Sequence, residues 1–330
     1  QHPMWNTFID NEDVRTSTLA TISSQMEVPF VKGLRWTLNY STNLRSRRVS
    51  NFWNNTILTG SGKTSNGVAK KEIYDNYDWT LDNILNYHKV LNKVHSFDVT
   101  LLYSREYQEY EETIAEANDF LNQALGFNNL GLGKVQRSNS NLEYQNSVAF
   151  MGRLNYIYDN RYALTATVRR DGFSSFSKDR KYALFPSAAF AWTVSNESFM
   201  DNVGALSMLK LRLSYGKNGN QALGRYQTLS RIADAQYVFG DGGGTVPTVY
   251  VQSISNTDLG WETTEVRNLG IDFGVLQGKL NGSIDVYSSN TYDILLQRNI
   301  PATTGFSTVW TNIGKVHNQG FEITLNSVNM

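Results

Sequence analysis

Residues 209–216 read Leu209-Lys210-Leu211-Arg212-Leu213-Ser214-Tyr215-Gly216. Apolar and polar side chains change places at every step, which is the period of an extended strand with one apolar and one polar face. The pattern recurs in both directions along the chain. Upstream, Leu34, Trp36, Leu38 and Tyr40 alternate with Arg35, Thr37, Asn39 and Ser41, and Tyr162, Leu164, Ala166 and Val168 alternate with Ala163, Thr165, Thr167 and Arg169. Downstream, Leu269, Ile271, Phe273 and Val275 oppose Asn268, Gly270, Asp272 and Gly274, while Phe321, Ile323 and Leu325 alternate with Glu322, Thr324 and Asn326. Residues 148–158 and 184–194 obey the same rule with small residues mixed in. About a dozen such segments, each near the ~10 residues that a tilted strand needs to cross a bilayer, predict an all-β chain of amphipathic strands.

The connections carry a second signal. Asp159-Asn160-Arg161 and Gln277-Gly278 read as hairpin turns, joining strands 148–158 to 162–169 and 266–276 to 279–287. Residues 105–146, 217–262 and 289–312, rich in Asn, Ser, Gly and charge, read as long loops. Within the first of these, Thr113 and Glu116 have capping-box spacing, and Ile114, Ala117, Phe120, Leu121 and Leu125 fall at helical intervals, so a short helix is predicted there. Alternating short and long connections, the long ones outward, are the habit of a transmembrane barrel.

Composition removes several function classes. Lys plus Arg equals Asp plus Glu at 30 each, so no basic field draws the chain to nucleic acid. No uninterrupted apolar run reaches the length of a spanning helix, and a mean hydropathy of −0.40 is compatible with strands that show lipid only every second residue. Five prolines in 330 residues suit paired strands, which proline interrupts. The absence of cysteine excludes disulfides, Cys-ligated zinc and thiol catalysis.

Several strings resemble one family. RLNYIYDNRYALTATVRRD at 153–171, Phe185-Pro186-Ser187 through Trp192, and LKLRLSYGKNGNQ at 209–221 are similar to the barrel of SusC/RagA-like TonB-dependent outer-membrane receptors. So are NTDLGWETTEVRNLGIDFG at 256–274, LNGSIDVYSSNTYDILL at 280–296 and NIGKVHNQGFEITL at 312–325, and the ordered series is more specific than any one string. The resemblance covers roughly residues 145–326. It implies a transmembrane antiparallel β-barrel of about 22 strands with long extracellular loops and a plug inside it. It also implies a bacterial outer-membrane location, energy delivered through TonB, a SusD-like surface lipoprotein as partner, and an oligosaccharide or peptide as substrate. On this reading residues 1–330 form one fragment of the barrel domain. The plug, the TonB box, the secretion signal and the closing C-terminal strands are expected outside it.

Other constellations in the sequence have plainer readings. Gly60-Ser61-Gly62-Lys63-Thr64 looks like a phosphate loop, but the position that should hold the first glycine is Ile57, so it reads as a loop tip. Residues 240–244 read as a turn. His2, His88, His95 and His317 share no metal-ligand spacing, and no metal or cofactor is expected. Glu109, Glu111 and Glu112 with Asp98 read as solvated charge rather than a catalytic carboxylate pair, so no enzyme activity is expected. Tyr40, Tyr103 and Tyr215 are expected near strand ends, where an interfacial girdle sits. Loop aromatics Trp53, Trp79, Trp261 and Trp310 are candidates for stacking on a ligand. Leu209, Leu211, Leu213, Leu269, Ile271 and Phe273 are expected to face lipid. The rival reading is a soluble or surface β-sandwich, an adhesin or carbohydrate-binding module, in which the same alternation faces a packed core.

Overall fold

The computed structural model describes residues 9–55, 66–238, 240 and 244–328. The phosphate-loop-like segment, His2 and most of residues 240–244 lie outside these. Among the described residues fifteen strands are formed: β1 (Asp10–Glu27), β2 (Leu34–Trp53), β3 (Val68–Leu91), β4 (His95–Phe120), β5 (Gly133–Tyr158), β6 (Tyr162–Phe173), β7 (Tyr182–Thr193), β8 (Leu206–Asn220), β9 (Arg231–Val238), β10 (Thr245–Ser253), β11 (Glu262–Val275), β12 (Leu280–Tyr292), β13 (Leu295–Asn299), β14 (Thr308–Asn312) and β15 (Lys315–Ser327). Eleven of them make one sheet in the order β1-β2-β3-β4-β5-β6-β7-β8-β11-β12-β15, while β9 with β10 and β13 with β14 form two-stranded hairpins inside the connections. The chain divides into two compact units. The smaller holds the described parts of 1–23, 39–81 and 106–145, and the larger those of 24–38, 82–105 and 146–330.

The tight turns form where the sequence puts them. Asp159 and Asn160 adopt φ of 49° and 53°, the left-handed central pair of a turn closed by the Arg161 amide on the Tyr158 carbonyl at 2.9 Å, in a three-residue connection between the paired Tyr158 and Tyr162. Leu276, Gln277 and Gly278 are likewise left-handed, at 53°, 59° and 84°. Gly33, at φ 89°, closes the connection between β1 and β2. A Cβ there would lie 2.1 Å from the His88 carbonyl oxygen, so no other residue fits.

The long loops are shorter than their composition suggests, because the strands run on into them. β8 extends to Asn220 and β12 to Tyr292, and the residues that follow fold into the β9–β10 and β13–β14 hairpins. The helix predicted around 113–125 does not form. Thr113, Ile114, Glu116, Ala117 and Phe120 continue β4, and only short 3-10 turns at 126–128 and 130–132 follow. A short isolated helix is marginal in water, whereas β4 has a neighbour on each side to complete its ladder. Ala117 and Phe120 still bury, in a cluster with Phe52, Ala69 and Phe127. Tyr40 and Tyr103 lie well inside β2 and β4 rather than near their ends.

In the larger unit the register aligns the alternation across strands. One row runs Tyr156, Leu164, Phe190, Leu213, Leu269, Val286, Phe321 through β5, β6, β7, β8, β11, β12 and β15. The row beside it runs Tyr158, Tyr162, Trp192, Leu211, Ile271, Ile284, Ile323. Both lie on one face, and that face is open: Leu213, Leu269, Val286 and Phe321 are 57%, 54%, 54% and 73% exposed. A one-residue slip in any pair would send half of a row to the other side, so the register and the face specify each other. A buried apolar cluster of the unit forms instead at strand ends and among the connections, where Phe173, Phe176, Leu223, Leu259 and Leu295 pack with Trp261 and Trp310.

Candidate functional site

The face opposite the apolar rows is where chemistry is possible. Arg212 of β8 pairs across the ladder with Gly270 of β11, and Gly270 with Asp285 of β12. Because Gly270 has no side chain, the guanidinium passes over β11. A Cβ at Gly270 would stand 2.5 Å from Asp285 Oδ1 and 2.7 Å from Arg212 Cζ. Arg212 donates from Nε and Nη2 to the two Asp272 oxygens at 2.9 and 2.7 Å, and from Nη2 to Asp285 Oδ2 at 3.0 Å. Asn268 adds a bond to Asp285 Oδ1 at 3.2 Å. Lys217 and Glu265, paired at 3.5 Å further along the same two strands, lie instead in the register of Leu213 and Leu269, on the side of the apolar rows. The half-exposed charges of Arg212, Asp272 and Asp285 form an open polar wall, not an enclosed pocket.

The smaller unit repeats the division. Ser23 donates to Asn39 at 2.7 Å, Arg45 to Asp78 at 2.6 Å and Gln145 to Gln108 at 2.6 Å, all between side chains of neighbouring strands. On the other face a ring ladder crosses β2, β3, β4 and β5. Tyr40 to Trp79, Trp79 to Tyr107 and Tyr107 to Tyr144 have centroids 6.5, 6.1 and 6.4 Å apart.

The predicted site residues fall into two groups. Leu209, Leu211, Leu213, Leu269, Ile271 and Phe273 come together on one face, as the register partners Leu209–Phe273, Leu211–Ile271 and Leu213–Leu269. The tryptophans do not gather. Trp53 is the half-buried last residue of β2. Trp79 is not in a loop but in the middle of β3, within the ring ladder. Trp261 packs 5.0 Å from Phe176 and 5.4 Å from Phe185 and donates from Nε1 to the Lys181 carbonyl at 3.1 Å. Trp310 lies in β14 against the same cluster. Of the candidate carboxylates, Asp98 accepts from His88 Nδ1 at 2.6 Å in the larger unit, while Glu109 takes the Tyr107 hydroxyl in the smaller.

Sequence reasoning missed Glu197. It lies in the connection between β7 and β8, 8% exposed, and its carboxylate accepts from the Tyr162 hydroxyl at 2.5 Å, Trp192 Nε1 at 2.9 Å and Arg161 Nη1 at 3.1 Å. Arg161 also holds Asp159 at 2.6 Å, so the β5–β6 turn and the β7–β8 connection are tied through one carboxylate. These bonds hold Glu197 below the ordinary carboxylate pKa, the Tyr162 hydroxyl contributing most and Trp192 and Arg161 adding to it. Nothing in the local pattern of Glu197 announces partners 35 and 36 positions away.

Residues 4–328 match the family described as TonB dependent receptor-like, beta-barrel. TonB-dependent receptor P3 of Formosa agariphila is 33% identical over 302 residues, which is 91% of this chain and 30% of that protein. TonB-dependent receptor SusC of Bacteroides thetaiotaomicron is 42% identical over 186 residues, covering 54% of this chain and 18% of that protein. The chain therefore spans less than a third of the length of the curated relatives it matches. Among solved structures, the RagAB peptide transporter superposes with a TM-score of 0.84 at 23% identity, over 98% of this chain and 35% of its own.

Proposed function

The chain belongs to the TonB-dependent receptor-like β-barrel family, and from that premise we propose that it forms part of the wall of a bacterial outer-membrane barrel importing oligosaccharides or peptides. The observation that carries this reading is the pair of open apolar rows crossing β5 to β15. In water a continuous patch of this kind would drive association, whereas against hydrocarbon it is solvated and the paired ladders leave no backbone group stranded. Leu209, Leu211, Leu213, Leu269, Ile271 and Phe273 are accordingly assigned to lipid. The opposite face, with Arg212, Asp272 and Asp285, is assigned to a water-filled passage, where charge keeps its hydration. A β-sandwich would cover the apolar rows with a second sheet; the other two sheets among the described residues are two-stranded hairpins, and the rows stay exposed.

The remaining parts of the machine are assigned to segments and partners beyond these residues. β1 and β15 end the sheet order, and edges in lipid require partner strands. Those strands, the plug and its TonB contact fall to the rest of the polypeptide, and the lid over the outer opening to a SusD-like lipoprotein. Trp53, at the end of β2, stays a candidate for stacking on solute, and Trp261 and Trp310 are assigned to holding the connections of the larger unit together. Trp79, whose ring ladder lies on the face opposite the polar cross-strand pairs, is withdrawn from the ligand candidates. Spin labels at positions 211 and 212 of the full-length protein in liposomes test the assignment. Oxygen should quench the label at 211 and a water-soluble nickel chelate the label at 212, and the opposite pattern would sink the reading.

A further inference from the structure

On the polar side of the smaller unit, one carboxylate carries two arginines. Arg47 donates to Asp13 from Nε at 3.0 Å and Nη2 at 2.9 Å, and Arg15 donates to the same two oxygens at 3.3 and 2.9 Å. Joining β1 to β2 requires only Arg47. Arg15 is two residues from Asp13 on the same strand, adds no link between strands, and brings a second positive charge beside the first. The trio carries a net charge of about +1. The arginine side chains are 69% and 46% exposed, and two of the roughly five N–H donors of each are spent on Asp13.

Rings adjoin this charge on the same side. Arg47 lies 5.9 Å over the Tyr74 ring, and Tyr74 stacks on Tyr110 with centroids 6.5 Å apart and planes at 24°. The Tyr74 hydroxyl and Lys70 Nζ donate to Glu72 Oε1 at 2.8 and 2.7 Å. Alternation puts Tyr77, Trp79 and Tyr107 on the reverse side of β3 and β4, where Tyr107 meets the other two rings at 6.2 and 6.1 Å. Tyr74 and Tyr110 are thus aromatic on the face that otherwise holds the polar cross-strand pairs.

We propose that Arg15, Arg47, Tyr74 and Tyr110 form a binding platform for an acidic sugar unit, the guanidiniums taking its carboxylate or sulfate and the tyrosines stacking on the ring. Planar forks match oxyanions two bonds at a time, and the faces of aromatic rings pack on the C–H faces of sugars. Glu72, fixed by Lys70, supplies an acceptor for ring hydroxyls, so donors, acceptors and flat apolar surface lie within one strip. The inference rests on the reading of the polar faces as the wall of an import passage and names the class of solute that passes.

The test is calorimetric binding to the full-length protein in detergent, with tetragalacturonate as probe and maltotetraose and tetraglutamate as comparisons. Tetragalacturonate should bind about tenfold or more tightly than either. Arg15→Gln should weaken it about tenfold and leave maltotetraose unchanged, Arg15→Lys should recover part of the loss, and Tyr110→Leu should weaken both sugars. Equal binding of acidic and neutral sugars, or tighter binding of tetraglutamate, overturns the proposal, as does an Arg15→Gln protein with unaltered affinity. Binding in detergent does not depend on which face meets lipid, so an inverted spin-label pattern at 211 and 212 would fail the import reading separately.

Discussion

Apolar side chains gather twice in the larger unit, with opposite outcomes. Among the connections, Phe173, Phe176 and Leu259 are 3%, 1% and 0% exposed. Along β8, β11, β12 and β15, residues of the same chemistry, Leu213, Leu269, Val286 and Phe321, keep more than half of their surface. On the proposed reading the difference is one of solvent: connections in water make a core, and a sheet face against hydrocarbon needs none. The connections also have a polar way of holding together, in the bonds around Glu197.

Substitutions should separate these regimes. The largest effect is expected in the connection cluster. Phe176→Ala removes a ring that Phe173 meets edge-on at 5.3 Å and Trp261 at 5.0 Å, and should destabilise the connections by about 3–5 kcal/mol, read as faster hydrogen exchange in 221–261. Unchanged exchange there would mean that the cluster is not what orders these loops. Next comes charge on the open rows. Arg in place of Leu213 or Ile271 should cost assembly about 2–4 kcal/mol near the bilayer midplane, measured as the urea midpoint of refolding into vesicles, while Ser214→Arg should be tolerated. Equal penalties at 213 and 214 would erase the contrast between the faces.

The smallest effect concerns Glu197. Its pKa is lowered in the folded protein, so its stabilising contribution is complete above the ordinary carboxylate value of 4.5 and is lost as pH falls through the folded one. Thermal midpoints of the native protein should therefore exceed those of Glu197→Gln at neutral pH and converge with them in acid. Parallel curves from pH 7 down to about pH 3 would show that the carboxylate charge contributes nothing.

What could be read beforehand follows from the range of each interaction. Leu209 to Gly216 disclose two faces because alternation is a property of one strand's backbone, and Asp159-Asn160 disclose a turn because left-handed φ is a local demand. Residues 113–125 misled for the converse reason. Their spacing suits a helix, but the Phe120 amide donates to the Asn66 carbonyl at 2.9 Å and that of Asp119 to Gly67 at 3.1 Å, partners that no local window contains.

By itself, then, the sequence determined that strands would form, which side chains share a face of each, and which family the ordered strings resemble. Only the tertiary structure decided that Leu213 stands beside Phe190 and Leu269, that the gap at Gly270 lets Arg212 reach Asp285, and that Trp261 joins Phe176. Periodicity is imposed residue by residue, whereas register is chosen by hydrogen-bond partners tens of positions away, and a shift of one residue would exchange every face.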